Sequence, residues 1–239
     1  MSEPNKSIVP PVIHRMEGDL KVCDPFKTDH TKDMESWRIL KIMDELVQGF
    51  GLLKKYRLAA TFFGSARYKL DDHKLYKDAE DLAGMLAKSG FAVITGGATG
   101  IMESANKGAF EAGGKSVGLN IKLQNEQGGN KYLSESLYFN YFFTRRVMLS
   151  FASEVYIFFP GGFGTLDEFF EIATLEQTNK IKRIPIILYD KEYWTPFITL
   201  LREMVLKVEH AINPEDLDLF VIVDTVDEAY EQILKLVKC

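Results

Sequence analysis

One continuous stretch, Pro160-Gly161-Gly162-Phe163-Gly164-Thr165-Leu166-Asp167-Glu168, carries the residue types best suited to chemistry. It follows an apolar run, Val155-Tyr156-Ile157-Phe158-Phe159, that reads as a buried strand. It precedes a segment near 165–178 that reads as a helix. A glycine turn between strand and helix leaves the first backbone N–H groups of the helix without partners. Those donors and the positive end of the helix dipole suit a phosphate. Gly161, Gly162, Gly164 and Thr165 are therefore candidate phosphate ligands. Glu168 is expected in the first helical turn, beside whatever the turn holds. A phosphate cradle next to a carboxylate points to chemistry on a phosphorylated sugar. A purely structural reading competes with it. Thr165-Leu166-Asp167-Glu168 matches the S/T-x-x-E capping box, in which Glu168 would only satisfy the helix start.

Two further turns share this character. Phe63-Gly64-Ser65-Ala66-Arg67 follows the first predicted strand, with Gly64 and Ser65 as candidate ligand contacts. Thr95-Gly96-Gly97-Ala98-Thr99-Gly100-Ile101-Met102-Glu103 follows the second, with Gly96, Gly97, Thr99, Gly100 and Met102 as candidates. Glycine admits positive φ and close approach of backbone to ligand. Ser65, Thr99 and Thr165 add hydroxyls for phosphate oxygens. Arg145 and Arg146, within Phe142-Phe143-Thr144-Arg145-Arg146-Val147-Met148-Leu149, supply cations among aromatic residues, suited to stacking on a base or forking onto a phosphate. The four histidines, His14, His30, His73 and His210, lie outside all three turns. They suggest neither a histidine base nor a metal site. Gly114-Lys115-Ser116 resembles the end of a P-loop, but Ala109 stands where that pattern needs glycine. The triplet also leaves a helix and enters a strand, the reverse of the required order. The fingerprint G-x-G-x-x-G is absent, so neither NAD nor ATP-driven phosphoryl transfer is expected.

The elements that must position these residues alternate. Predicted strands are Leu58–Phe63, Phe91–Thr95, Ser116–Asn120, Leu137–Asn140, Val155–Phe159, Ile184–Tyr189 and Phe220–Val223. Helical stretches fall near 73–89, 101–112, 142–152, 165–178, 193–209 and 225–238. Near-continuous apolar strands indicate a parallel sheet covered on both faces, and the alternation indicates a doubly wound, Rossmann-like α/β fold. In that fold the three glycine turns open on one edge of the sheet. Residues 33–55 form an amphipathic helix. Trp37, Leu40, Met43, Val47 and Phe50 recur at spacings of three and four, a stripe expected to pack on the core or on another subunit. Residues 1–32, polar and proline-bearing, read as an arm ahead of a single catalytic domain at 33–239.

The chain has 239 residues, long enough to bury a sizeable core. Its formal net charge of −5 argues against a protein that coats nucleic acid. Cys23 and Cys239 form neither a metal-ligand spacing nor a disulfide framework, which fits a reducing compartment. The start, Met1-Ser2-Glu3-Pro4-Asn5-Lys6, lacks the apolar core of a signal peptide. No run is long and apolar enough for a membrane span. A cytoplasmic protein without membrane partners is expected.

The stretch Pro160–Glu168 resembles the PGGxGTxxE motif of the Lonely Guy family, the cytokinin riboside 5′-monophosphate phosphoribohydrolases often mislabelled as lysine decarboxylases. Phe63-Gly64-Ser65-Ala66-Arg67, Gly96-Gly97 through Met102-Glu103, and Arg145-Arg146 extend the resemblance, which runs from about Asp33 to the C-terminus. The long N-terminal helix and Thr174-Leu175-Glu176-Gln177-Thr178 are similar to a bacterial subgroup. The resemblance implies hydrolysis of the N-glycosidic bond of a nucleoside 5′-monophosphate to free base and ribose 5-phosphate. It implies Glu168 and Arg145 as the catalytic pair, Arg146 beside them, and Gly161, Gly162, Gly164 and Thr165 as the phosphate cradle. It implies no metal, no cofactor and a homo-oligomer, a dimer or larger. The chain departs from the family in carrying Arg145-Arg146 where Arg-Lys is frequent, and Ala98 where a third glycine is frequent. Two other classes compete. One is a sensor or carrier of the same fold, binding a nucleotide-like ligand without turnover. The other is a pyridoxal phosphate decarboxylase, which needs a Schiff-base lysine; none of the three turns contains one.

Overall fold

The computed structural model describes residues 31–68, 74–122 and 128–237. Most of the expected N-terminal arm lies outside them, as do Cys23, Cys239, His14, His30 and His73. The described residues divide between Ile39 and Leu40 into two units. Helix α1 covers Thr31–Leu53. After it come β1 (Ala59–Phe63), α2 (Lys74–Lys88), β2 (Ala92–Thr95), α3 (Ile101–Glu111) and β3 (Ser116–Ile121). The chain continues through β4 (Glu135–Phe139), α4 (Phe142–Ser150), β5 (Val155–Phe158), α5 (Phe163–Gln177) and β6 (Ile186–Tyr189). It ends with α6 (Lys191–Leu200), β7 (Phe220–Val223) and α7 (Val226–Leu236).

The seven strands form one sheet in the order β4-β3-β2-β1-β5-β6-β7. Every neighbouring pair is parallel. From central β1 the chain builds outward through β2, β3 and β4, then returns to β5 on the other flank. The order thus reverses between β1 and β5, the crevice where ligands bind in doubly wound sheets.

The unbroken apolar strands of the sequence are explained by two cores. In β5, Val155 and Ile157 point to the face covered by α2, α3 and α7, together with Ala79, Leu82, Ala105 and Ile233. Tyr156 and Phe158 point to the opposite face, with Leu52, Met148, Phe169 and Trp194 of α1, α4, α5 and α6. Both sets are fully buried, so alternation of apolar and polar residues is absent. At the sheet edge, β4 keeps only one covered face and alternates in exposure.

Three sequence expectations shift in detail. The helix expected near 193–209 is α6 followed by a π-helical turn at Leu201–Leu206. The helix expected from residue 165 starts two residues earlier, at Phe163. The apolar stripe of α1 does not pack on the core of its own unit: Leu40, Met43, Val47 and Phe50 stay exposed, Val47 at 70%. Glu45, Gly49, Leu52 and Leu53 are the α1 residues buried there instead. Among the described residues, no helix is long and apolar enough to cross a membrane.

Candidate active site

The three glycine turns meet at the β1–β5 crevice and are stitched together by hydrogen bonds. The Ser65 N–H donates to the Pro160 carbonyl at 3.0 Å, joining the first and third turns. The Ile101 N–H donates to the Ser65 carbonyl at 3.0 Å, and the Thr99 hydroxyl to the Ala66 carbonyl at 2.8 Å, joining the first and second. Gly100 makes this possible: its φ is +71°, and a Cβ there would stand 2.2 Å from the Ser65 carbonyl oxygen.

A cavity of about 1030 Å³ opens where the turns meet. Gly64, Ser65, Gly96, Met102, Gly161, Gly162, Gly164, Thr165, Arg145 and Glu168 line it. Gly97, Thr99 and Gly100 of the second turn are not among the residues that line it. Arg146 faces a neighbouring hollow shared with Phe142, Phe163 and Asp167. There it pairs with Asp167 at 2.5 Å and with Glu171 at 3.0 Å.

Helix α5 meets the cavity with its N-terminus. Gly162 is the N-cap and provides no side-chain cap. Among the described residues, no acceptor meets the N–H groups of Gly162, Phe163, Gly164 or Thr165. This is the ordinary condition of a helix start open to a ligand. Because the helix begins at Phe163, Thr165 is not its cap and Glu168 lies in the second turn. The capping-box reading of Glu168 therefore fails: the side chain is turned to the cavity instead.

Glu168 and Arg145 form the charged centre. Arg145 Nη2 lies 3.3 Å from Glu168 Oε1, and both side chains are largely buried. Burial pushes the Glu168 carboxyl from 4.5 up to about 7; the Arg145 guanidinium opposes that rise, and Asp167 and Glu171 add to it. The Arg145 Nε is buried without an acceptor among the described residues. The guanidinium carbon sits 5.8 Å from the Phe142 ring centroid.

Residues distant in sequence hold this arrangement. Glu45 of α1, 6% exposed, accepts from the Asn140 N–H at 2.7 Å, from Asn140 Nδ2 at 2.8 Å and from the Thr144 hydroxyl. Helix α4 has no side-chain cap of its own, so Glu45 anchors the turn that carries Arg145. Asn130 performs the same task for the second turn. Its Nδ2 donates to the Ala98 carbonyl at 3.1 Å and to Asn106 Oδ1 at 2.9 Å. Asn106 in turn accepts from the Thr95 hydroxyl at 2.6 Å.

Several lining residues escaped the sequence reading: Asn120, Lys122, Tyr138, Tyr193 and Phe197. They come from strand ends and from α6, without a glycine turn to mark them. Lys122 shows that a lysine does reach the cavity although none lies in the turns. Among the described residues, no group of three or more histidine, cysteine or acidic side chains is placed to hold a metal ion.

The model of a family described as "Possible lysine decarboxylase" matches residues 102–233. A cytokinin riboside 5′-monophosphate phosphoribohydrolase of Rhodococcoides fascians is 27% identical over 139 residues, 57% of this chain and 69% of that one. A probable enzyme of the same name from Oryza sativa subsp. japonica is 26% identical over 211 residues, 86% of this chain and 80% of that one. The solved structure of a molybdenum cofactor binding protein from Rippkaea orientalis shares the fold, with a TM-score of 0.56 at 21% identity over 76% of this chain and 96% of that one. Matched by the family model over more than half its length, the chain belongs to the family described as possible lysine decarboxylase, that of the Lonely Guy proteins.

Proposed function

We propose that this chain hydrolyses the N-glycosidic bond of a nucleoside 5′-monophosphate, AMP or a cytokinin riboside 5′-monophosphate, to free base and ribose 5-phosphate. The observation that carries this reading is the Arg145–Glu168 pair, largely buried in a cavity lined by the N-terminus of α5, whose first N–H groups meet no acceptor among the described residues. The relatives named as phosphoribohydrolases support it.

In this reaction the bond between C1′ and the base nitrogen breaks. Water supplies hydroxide to C1′, and its other proton ends on the base. Positive charge develops on the sugar and negative charge on the leaving base. The Glu168 carboxylate stabilises the first and takes the proton from the attacking water. A carboxyl near 7 exists in both forms at neutral pH, as acid–base work requires. Arg145 offers its N–H groups to the leaving base or to the sugar that Glu168 holds. The N–H groups of α5, with Ser65 from the first turn, take the phosphate. Their binding energy places C1′ against the pair.

The same cavity favours one alternative. At about 1030 Å³ it sits at the top of the roughly 300–1,000 Å³ common for small-molecule pockets. That room suits a carrier of a larger nucleotide-like ligand, and a structural neighbour is named as a molybdenum cofactor binding protein. Incubation of the protein with AMP, GMP, CMP, UMP and isopentenyladenosine monophosphate, each beside its nucleoside, separates the two. Release of base and ribose 5-phosphate from monophosphates alone supports the hydrolase. Binding without release from any of them supports the carrier. The exposed α1 stripe further supports assembly as a homo-oligomer.

A further inference from the structure

Tyr193 lies outside the glycine turns and outside the acid–arginine pair, yet lines the cavity from α6. Its position is built locally. Asp190, with φ +86°, is the N-cap of α6 and accepts from the N–H groups of Glu192 at 3.1 Å and Tyr193 at 3.4 Å. The neighbouring Trp194, fully buried, donates its indole N–H to the Phe158 carbonyl at the end of β5, at 3.2 Å. The Tyr193 ring packs edge-on against Trp194, centroids 5.1 Å apart, and lies 5.3 Å from Phe197. From this seat its hydroxyl donates to the Gly161 carbonyl at 2.7 Å.

The preceding carbonyl, that of Pro160, is held from the opposite flank by the Ser65 N–H. Two successive peptides of the third turn are thus gripped from the β1 side and the β6 side. In a trans peptide the carbonyl and the following N–H point in opposite directions. Holding the Gly161 carbonyl toward α6 turns the Gly162 N–H away from α6, to the side where no acceptor among the described residues meets it. Gly161 and Gly162 have no side chains to restrain that peptide themselves, and glycine loses the most freedom on ordering.

We propose that Tyr193 is a positioning residue for the phosphate end of the site: its hydroxyl fixes the Gly161–Gly162 peptide with the Gly162 N–H facing the anion. The proposal rests on the reading that the N-terminus of α5 takes the substrate phosphate. It assigns to α6, which carries none of the family motif, control over affinity for the phosphate.

The test is Tyr193→Phe, which keeps the ring and its contacts with Trp194 and Phe197. Calorimetric titration with ribose 5-phosphate is expected to show about five- to tenfold weaker binding, because the ligand must then order the released Gly161–Gly162 peptide itself. KM for AMP rises by a similar factor, with kcat and the melting temperature close to wild type. Undiminished ribose 5-phosphate binding in the variant, with the wild type binding normally, overturns the role of Tyr193 and leaves the phosphate reading intact. Parallel falls in kcat and melting temperature also overturn it, since they mark general loosening. A wild type that binds no ribose 5-phosphate overturns the phosphate reading, and this proposal with it.

Discussion

Glu168 is held in its site at a thermodynamic cost, and Glu168→Gln exposes that cost. The carboxyl rises from 4.5 to about 7 in the folded protein, chiefly because burial disfavours its charged form. Between those two values the native state binds more protons than the unfolded chain. Stability is therefore highest below 4.5 and declines as pH rises through 7. The shift of about 2.5 units corresponds to roughly 3 kcal/mol at pH 8 and under about 1 kcal/mol at pH 5. Glutamine resembles the neutral acid and can still accept from Arg145, so the variant escapes the cost of ionisation. Paired thermal melts at pH 5 and pH 8 read the difference. For a chain of this length about 3 kcal/mol is roughly 6–12 °C. Glu168→Gln should melt that much above wild type at pH 8 and within a few degrees of it at pH 5. A variant that melts below wild type at pH 8, or an offset equal at both pH values, refutes the reasoning. The first result would mean that Glu168 is stabilised as a carboxylate in its site, the second that folding leaves its proton affinity unchanged.

Gly161→Ala places a Cβ 2.1 Å from Thr165 Oγ1 and 2.6 Å from Thr165 Cβ. Threonine is stiff at χ1, so the loop or the first turn of α5 must shift. A loss of about 1–3 kcal/mol in denaturant unfolding and a raised KM for AMP are expected; wild-type values for both would contradict the packing described. Glu45→Ala strands both Asn140 donors and leaves the Thr144 hydroxyl only the Tyr141 carbonyl, with an expected loss of about 2–4 kcal/mol. The same variant lowers kcat by releasing the turn that carries Arg145; unchanged kcat would show that α4 holds itself. Val47→Asp puts a charge on the exposed α1 stripe and is expected to reduce the assembled species in gel filtration, whereas an unaltered profile would remove that stripe from the interface.

The fold was legible because its cores are two-sided. Val155–Phe159 and Ile184–Tyr189 are continuous apolar runs between helical patterns, and all seven predicted strands form. Boundaries failed where local preference opposed tertiary structure. Gly162-Phe163-Gly164 reads as loop because glycine disfavours helix, yet α5 begins at Phe163. The alternating exposure of β4 hid two of its residues from a search for apolar runs. In the site, glycine marks close approach by its own chemistry, so Gly64, Gly96 and Gly161 stand out in the sequence. Asn120, Lys122, Tyr138 and Tyr193 carry no such mark, being ordinary residues that the sheet order brings to one edge. Glu45 and Asn140 are separated by 95 positions, a distance at which no spacing rule joins them. The placement of Glu168 also needed the structure, because Thr165-x-x-Glu168 satisfies the capping pattern in sequence and only the start of α5 dismisses it.

The central claim is that Glu168 performs chemistry on a monophosphate anchored by α5. The most direct test measures ribose 5-phosphate release from AMP by wild type and Glu168→Gln, with AMP binding followed by calorimetry in parallel. The account predicts that the variant binds AMP near wild-type strength and releases no ribose 5-phosphate. Release by the variant near the wild-type rate would contradict it and take the catalytic role from Glu168.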